Sequence, residues 1–324
     1  MRPCSACSHP AADADDKQRL HRREDSHPVP RSGPQAAQAT GAFTSALEQL
    51  SNENIHIRMG AISACEQIAI SNVSTYRSIV SHTLKSYVKD NSIYRYNNID
   101  LSNPNRDKIP IEEDIVAAIQ YLAYNGIEKL ELGYVNLSLA WLPNANIVNG
   151  NLSFSNLSFA NLDGANLSGT RLHKTYFYET SLNGAKLQCP YIKGAKFVVA
   201  DLKKAKFNKS VLNKTYFYSC NLKEAKFRNA RIRRCYFANS DLTGSDFRNS
   251  TFSGTIFEGA ILDKSDFRGV KNVPLRQLSG AKSTKGIKLD PEPRRQFQEF
   301  RRFFKIEMEG EAANRKKEAE SRNP

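Results

Sequence analysis

Cations and tyrosines recur at a fixed interval along the middle of this chain. Lys186, Lys206 and Lys226 stand 20 residues apart, as do Lys203 and Lys223, and likewise Tyr216 and Tyr236. Ammonium groups held in a row attract phosphates, and rings held in a row can stack on bases, so the chemistry open to them is recognition of a polyanion. Between Arg171 and Arg234, 16 basic residues stand against three acidic ones, Glu179, Asp201 and Glu224. That excess nearly equals the +14 of the whole chain, whereas residues 131–170 carry only Glu131 and Asp163. Other chemistry is thinly represented. Cys4-Ser5-Ala6-Cys7 with His9 has the spacing of half a zinc site, but zinc needs four ligands and no second pair follows at a matching interval. No nucleophile elbow, phosphate-cradling glycine loop or HExxH helix occurs, and the six histidines are scattered. Neither an enzyme nor a cofactor, metal or small-molecule substrate is expected.

The element that positions those columns is a repeat. From Leu132 to Phe267 every fifth residue is Leu, Ile or Phe, 28 in succession. Two residues before each stands a small side chain, with only Leu130, Val135 and Pro190 departing from the rule. A period of five is neither helical nor simply extended. On an extended segment residues two apart share a side, so each unit turns its small residue and its Leu or Phe inward. The other three positions are mostly Asn, Asp, Ser, Gly, Lys and Arg, which turn corners and face water. Outward residues recurring at 20 imply four sides per turn, hence about seven turns at roughly 4.8 Å each and a square rod roughly 34 Å long.

On that rod one side is expected to stack Lys174, Tyr176 and Tyr178 under Lys196, then Lys214, Tyr216 and Tyr218, then Arg233, Arg234 and Tyr236. A neighbouring side is expected to stack Lys186, Lys206 and Lys226 with Lys203, Lys204 and Lys223. The expected partner is an acidic macromolecule: nucleic acid, acidic protein or the headgroups of a membrane surface. A plainer reading makes the lysines a solubilising, edge-protecting surface and the tyrosines a ladder between turns. Like charges stacked at about 4.8 Å repel, and a bound partner relieves that repulsion, which favours docking.

The pattern A-(D/N)-L-x-x, seen at Ala160-Asn161-Leu162, Ala165-Asn166-Leu167 and Ala200-Asp201-Leu202 over residues 130–270, resembles the pentapeptide-repeat family. The resemblance implies a mainly β fold, a right-handed quadrilateral β-helix. It implies no single function. Some relatives protect DNA gyrase by imitating duplex DNA and confer quinolone resistance, which calls for a negative face on a dimeric rod; a third reading, an effector delivered into a host cell, leaves no readable signal in the sequence. The acidic residues Asp163, Asp201, Asp241, Asp246, Asp263 and Asp266 mostly occupy the corner position that the family fills with Asp or Asn, where they serve turns. The triplets at Asn136, Asn151, Asn156 and Asn166 imitate glycosylation acceptors but restate the repeat.

The flanks read differently. Residues 1–42, rich in Pro, Ala, Ser and charge, are expected to form a disordered tail. Residues 43–126 are expected to be helical, with Ala46, Leu47 and Leu50, then Ile55, Met59, Ile62, Cys65 and Ile68, then Tyr76, Val80 and Leu84, and finally Ile115, Ile119 and Leu122 on apolar faces. A polar loop falls at 97–110. Ala46-Leu47-Glu48-Gln49-Leu50 through Arg58-Met59-Gly60-Ala61-Ile62 resembles a HEAT-like hairpin and the helical lead-in of many bacterial pentapeptide arrays, and is expected to cap the coil at 127–270. Residues 271–290 are expected to close the other end. Residues 291–324 are expected to form a basic helix bearing Phe297, Phe300, Phe303 and Phe304, which either docks on the coil or pairs with a second copy. No apolar run reaches the ~18 residues of a membrane span. Six scattered cysteines give no disulfide framework, so a reducing cytoplasm is the expected compartment.

Overall fold

Burial explains why a rhythm of five winds into a square. In the computed structural model, which describes residues 34–71, 76–91, 112–125, 129–189 and 191–302, the Leu, Ile and Phe of the series are buried from Leu132 to Phe267. Residues 20 apart pair in parallel. Strands β1 (Tyr176–Tyr178), β3 (Lys196–Val198) and β5 (Tyr216–Tyr218) form one sheet in the register Phe177, Phe197, Phe217. Strands β2 (Ile192–Lys193), β4 (Val211–Asn213), β6 (Arg231–Arg233) and β7 (Thr251–Ser253) form the adjoining sheet. Isolated bridges extend the first sheet's column through Asn136, Asn156, Tyr236 and Ile256 and carry the same register on the remaining sides, as in Ser181, Asp201, Asn221 and Asp241.

The interior is ordered by ring size. Phe177, Phe197, Phe217, Phe237 and Phe257 stack with centroids 4.4–5.2 Å apart, and Phe207, Phe227 and Phe247 stack at 4.8–4.9 Å on the facing side. Phe197 and Phe207, ten residues apart, meet edge-on at 6.2 Å across the coil. Sides ten residues apart are therefore opposite. The small position is small because it also lies inside, and where it is Ser or Thr its hydroxyl mostly finds a carbonyl one turn back, although Ser250 and Ser265 bond within their own turn and Ser245 finds no partner. Ser155 donates to Leu132 at 2.7 Å, Thr170 to Ile147 at 2.6 Å and Ser240 to Phe217 at 2.7 Å. A buried hydroxyl with such a partner no longer carries its desolvation penalty.

Corners need two devices. The residue before the inward Leu or Phe is commonly Asn or Asp, whose Oδ1 accepts the N–H two residues on, as at Asn161 to Asp163, Asp201 to Lys203 and Asp241 to Thr243. The residue two after the inward one is left-handed, with φ of +69° at Gly184 but also +51° at Lys174, +58° at Lys204, +52° at Lys214 and +51° at Arg234. A side chain there costs about 1–2 kcal/mol relative to glycine. The cost comes with an outward orientation at the sharpest edge of the coil.

Helices close the first end. Helix α1 runs Pro34–Leu50, α2 Ile55–Ser71, α3 Tyr76–Asn91 and α4 Glu113–Tyr124. The helical region thus starts at residue 34 and not 43, because Ala39, Phe43, Ala46 and Leu50 form a buried stripe at helical spacing that the composition of the tail conceals. Leu47, expected on that stripe, is exposed. On α4, Ile119 and Leu122 join the same core as Leu130 and Leu142, while Gln120 and Tyr124 bond the carbonyls of Trp141 and Pro143. The 97–110 loop and the Cys4–His9 segment lie outside the described residues.

At the second end the register changes from 20 to 22: Ile261 pairs Ser283 and Asp266 pairs Lys288. The surplus is taken up by helix α5 (Leu275–Ser279), which buries Leu278 against the last turn. A helical stretch over 291–302, α6, follows and buries Phe297 while Phe300 stays exposed. Phe303 and Phe304 fall outside the described residues.

Candidate polyanion-binding surface

The expected docking residues divide into two groups. Lys174, Lys214 and Arg234 occupy one corner column and Arg233 the column beside it; Tyr176, Lys196, Tyr216 and Tyr236 share the adjoining flat column. Lys186, Lys206 and Lys226 do stack in one parallel column. That column is on the opposite side of the coil, ten residues from Tyr176, Lys196 and Tyr216, and not on a neighbouring side. The four-sided geometry is the reason. Only Lys203, Lys204 and Lys223 stand on the intervening side and its far corner.

The rings of Tyr176, Tyr216 and Tyr236 are engaged within their own column, while Tyr218 is half-exposed. Tyr216 and Tyr236 stack on each other at 4.8 Å and nearly parallel, with Ile256 next in the column, and the Lys196 ammonium lies 5.0 Å over the ring of Tyr176. Tyr134 stacks on Phe154 at 4.8 Å, and Lys174 lies 5.6 Å over Phe154. Inserting a base between Tyr216 and Tyr236 would require parting the ladder, so base stacking does not fit that pair. Hydroxyls, ring edges and cations remain on the surface.

Charge compensation separates two regions. In the last turns Arg228 pairs with Asp246, Arg248 with Asp246 at 2.9 Å, Arg268 with Asp266 at 2.6 Å and Lys223 with Asp241 at 3.2 Å. The Arg268 hydrogen bond holds the Asp266 carboxyl below its ordinary range against the opposing effect of burial. Lys193, Lys214, Arg231, Arg233 and Arg234 have no ion-pair partner among the described residues, and neither do Lys186, Lys203, Lys204, Lys206 and Lys226. A titratable witness stands in the first cluster. Burial, then the charges of Lys193 and Lys174, push His173 below its ordinary value of 6.5. His173, Lys193 and Arg231 were missed as candidates, although His173, Lys193 and Arg233 recur at intervals of 20 and 40.

The far corner holds a shallow groove of about 520 Å³ lined by Gly184, Lys204, Lys206, Glu224, Lys226, Gly244 and Asp246. It opens because the corner column carries no side chain at Gly184 and Gly244. Its three ammonium groups outnumber the carboxylate of Glu224, since Asp246 is already bound by two arginines. The four thiols among the described residues offer no nucleophile: burial pushes Cys189 and Cys220 up to about 12 and Cys65 and Cys235 to about 11. Among the described residues no His, Cys, Asp or Glu cluster could hold a metal, and no helix is long and apolar enough to cross a membrane.

Comparison with known proteins identifies the array. The model for pentapeptide repeats (8 copies) matches residues 151–188, and that for the pentapeptide repeat region matches residues 191–267. Residues 151–188 and 191–267 are pentapeptide repeats. Among solved structures, HetL, a pentapeptide repeat protein involved in heterocyst differentiation regulation from the cyanobacterium Nostoc, is 22% identical, with 50% of this chain and 82% of that chain covered and a TM-score of 0.19. QnrB1, a plasmid-mediated fluoroquinolone resistance protein, is 20% identical over 49% of this chain and 91% of that one, with a TM-score of 0.20. A pentapeptide repeat protein of the Arabidopsis thaliana thylakoid lumen is 19% identical over 42% and 65%, with a TM-score of 0.19. No curated protein matches.

Proposed function

We propose that this pentapeptide-repeat rod is a non-enzymatic docking protein whose cationic surface holds an acidic macromolecule in the cytoplasm. The observation that carries this reading is the unpaired charge of Lys193, Lys214, Arg233 and Arg234 on adjoining levels of one corner, with Arg231 on the flat side beside it, whereas Arg171, Arg228, Arg248 and Arg268 of the same coil find carboxylates. Lys214 and Arg234 are also held at left-handed corners, where glycine would be less strained. Arginine adds a planar fork suited to phosphate or carboxylate.

Protection of gyrase through an acidic, DNA-like face has less support. Asp241, Asp246 and Asp266 are engaged by Lys223, Arg228, Arg248 and Arg268, and Asp263 accepts bonds from Ser283 and Lys285.

The test is anisotropy of labelled duplex, acidic peptide and anionic vesicles against the protein as salt rises. One of these probes is expected to bind with a log–log salt dependence, and Lys214→Glu with Arg233→Glu to weaken it about tenfold or more. Both side chains are exposed, so the double variant keeps its fold. Absence of binding to all three at low salt, or binding indifferent to the double reversal, refutes the reading.

A further inference from the structure

We propose that a single rod holds two double-stranded nucleic-acid segments at once, one on each of two diagonally opposed cationic corners. This inference rests on the reading that unpaired cations dock a polyanion, and adds the partner's class and the number of sites. Ten residues are half a turn of the coil, as the edge-on meeting of Phe197 and Phe207 shows. Lys193 and Lys203, or Lys214 and Glu224, therefore lie at opposite ends of a diagonal. The first corner carries Lys193, Lys214, Arg233 and Arg234. The second carries Lys203 and Lys204, continued by the column Lys186, Lys206 and Lys226 along the groove. Neither set has an ion-pair partner among the described residues, and the side between them presents Asp201 and Asp241 bound up in turn hydrogen bonds.

Three physical arguments select the duplex. Tyr216 and Tyr236 stack on each other and Tyr176 lies under Lys196, which leaves single strands only scattered exposed rings such as Tyr218 and no continuous stacking platform. Lys193, Lys214 and Arg233 lie on successive levels of the first corner, and Lys186, Lys206 and Lys226 on successive levels of the column that continues the second, about 4.8 Å apart. A duplex offers one negative charge per roughly 1.7 Å of its axis, dense enough to face every level of either corner. A membrane is flat and can meet only one of two opposed corners. A duplex is also stiff: bending 20–30 base pairs by even 40–90° costs about 1–6 kcal/mol, so one segment cannot wrap a narrow rod to reach both corners. Two opposed charged corners on a rigid spacer therefore bring two segments side by side.

The experiment uses the full chain, a 30-base-pair duplex on beads and a second, fluorescent duplex in solution. Wild-type protein is expected to retain the fluorescent duplex on the beads, with two duplexes per monomer at saturation. Lys193→Glu with Arg233→Glu, and separately Lys204→Glu with Lys206→Glu, are each expected to cut retention about tenfold or more while anisotropy still reports binding of one duplex. Circular dichroism is the check that each variant folds, Lys193, Arg233 and Lys204 being exposed and Lys206 half-buried. Binding of one duplex per monomer without retention overturns the two-site inference and leaves the docking function standing. No duplex binding at all overturns both this inference and the nucleic-acid assignment, while binding of acidic peptide or vesicles alone keeps the docking function. Retention that survives reversal of the second corner also overturns it, because the bridge would then come from paired copies with one site each.

Discussion

Truncating Phe217 to alanine is expected to destabilise the coil by about 3–5 kcal/mol, the range for losing a buried aromatic ring. Phe217 is fully buried and sits at the crossing of both ladders. Its centroid lies 5.0 Å from Phe197 and 4.8 Å from Phe237 in its own stack, and 5.7 Å from Phe207 and 6.3 Å from Phe227 across the coil. Four ring contacts vanish with one substitution, and each turn of a solenoid is held only by its neighbours. Chemical denaturation of Phe217→Ala is expected to show the turns beyond it unfolding ahead of those before it. Tyr218→Ala is the control: the same strand, an outward half-exposed ring, and a cost within about 0.5 kcal/mol or little more. Equal costs at the two positions would mean that no inward ladder exists.

Asp114→Ala is expected to cost the helical cap a comparable amount, about 3–5 kcal/mol, by leaving a paired charge unpaired in a buried place. The Asp114 side chain is fully buried and accepts bonds from Arg58 Nε at 2.6 Å and from the Tyr87 hydroxyl. Arg58 in turn bonds Glu112 and the carbonyls of Asn52 and Glu53, so one carboxylate ties α2, α3 and the start of α4. The hydrogen bond to Asp114, against the cost of burial, raises Arg58 above its already high ordinary value. Burial, and then the bond to Asp114, raise the Tyr87 phenol as well. A phenol whose folded value is raised stabilises fully below its unfolded value of about 10, and that contribution is lost as pH climbs above it. The helical signal of the wild type is therefore expected to weaken above about pH 10, and Asp114→Ala to lose part of that alkaline sensitivity. A variant that melts like the wild type would place Asp114 outside the cap's support.

Much of this was legible in residue types alone. Twenty-eight inward positions, the small residue two before each, and the Asn or Asp at corners follow from a five-residue rhythm and the hydrogen bonds that a turn needs. The stacking of Lys186, Lys206 and Lys226 follows from a period of 20. What the columns conceal is adjacency. Residues ten apart read as near neighbours along the chain, yet a four-sided coil sends them to opposite sides, and so one expected face became two corners. Compensation is hidden for a different reason: Arg228 and Asp246 are 18 residues apart and meet only because long side chains reach between columns. The helix start at Pro34 escaped because Ala39 sits in a stretch whose composition reads as tail. The 22-residue register beyond Ile261 escaped because α5 absorbs two residues without disturbing either flanking column.

The most direct test of an uncompensated cationic corner is the nuclear magnetic resonance titration of the His173 ring, assigned with His173→Gln. In the free protein it is expected to titrate below 6.5, and on adding an excess of duplex at low salt to move upward, because phosphates neutralise the field of Lys193 and Lys174. Titration at or above 6.5 in the free protein, unmoved by saturating duplex, would contradict the account.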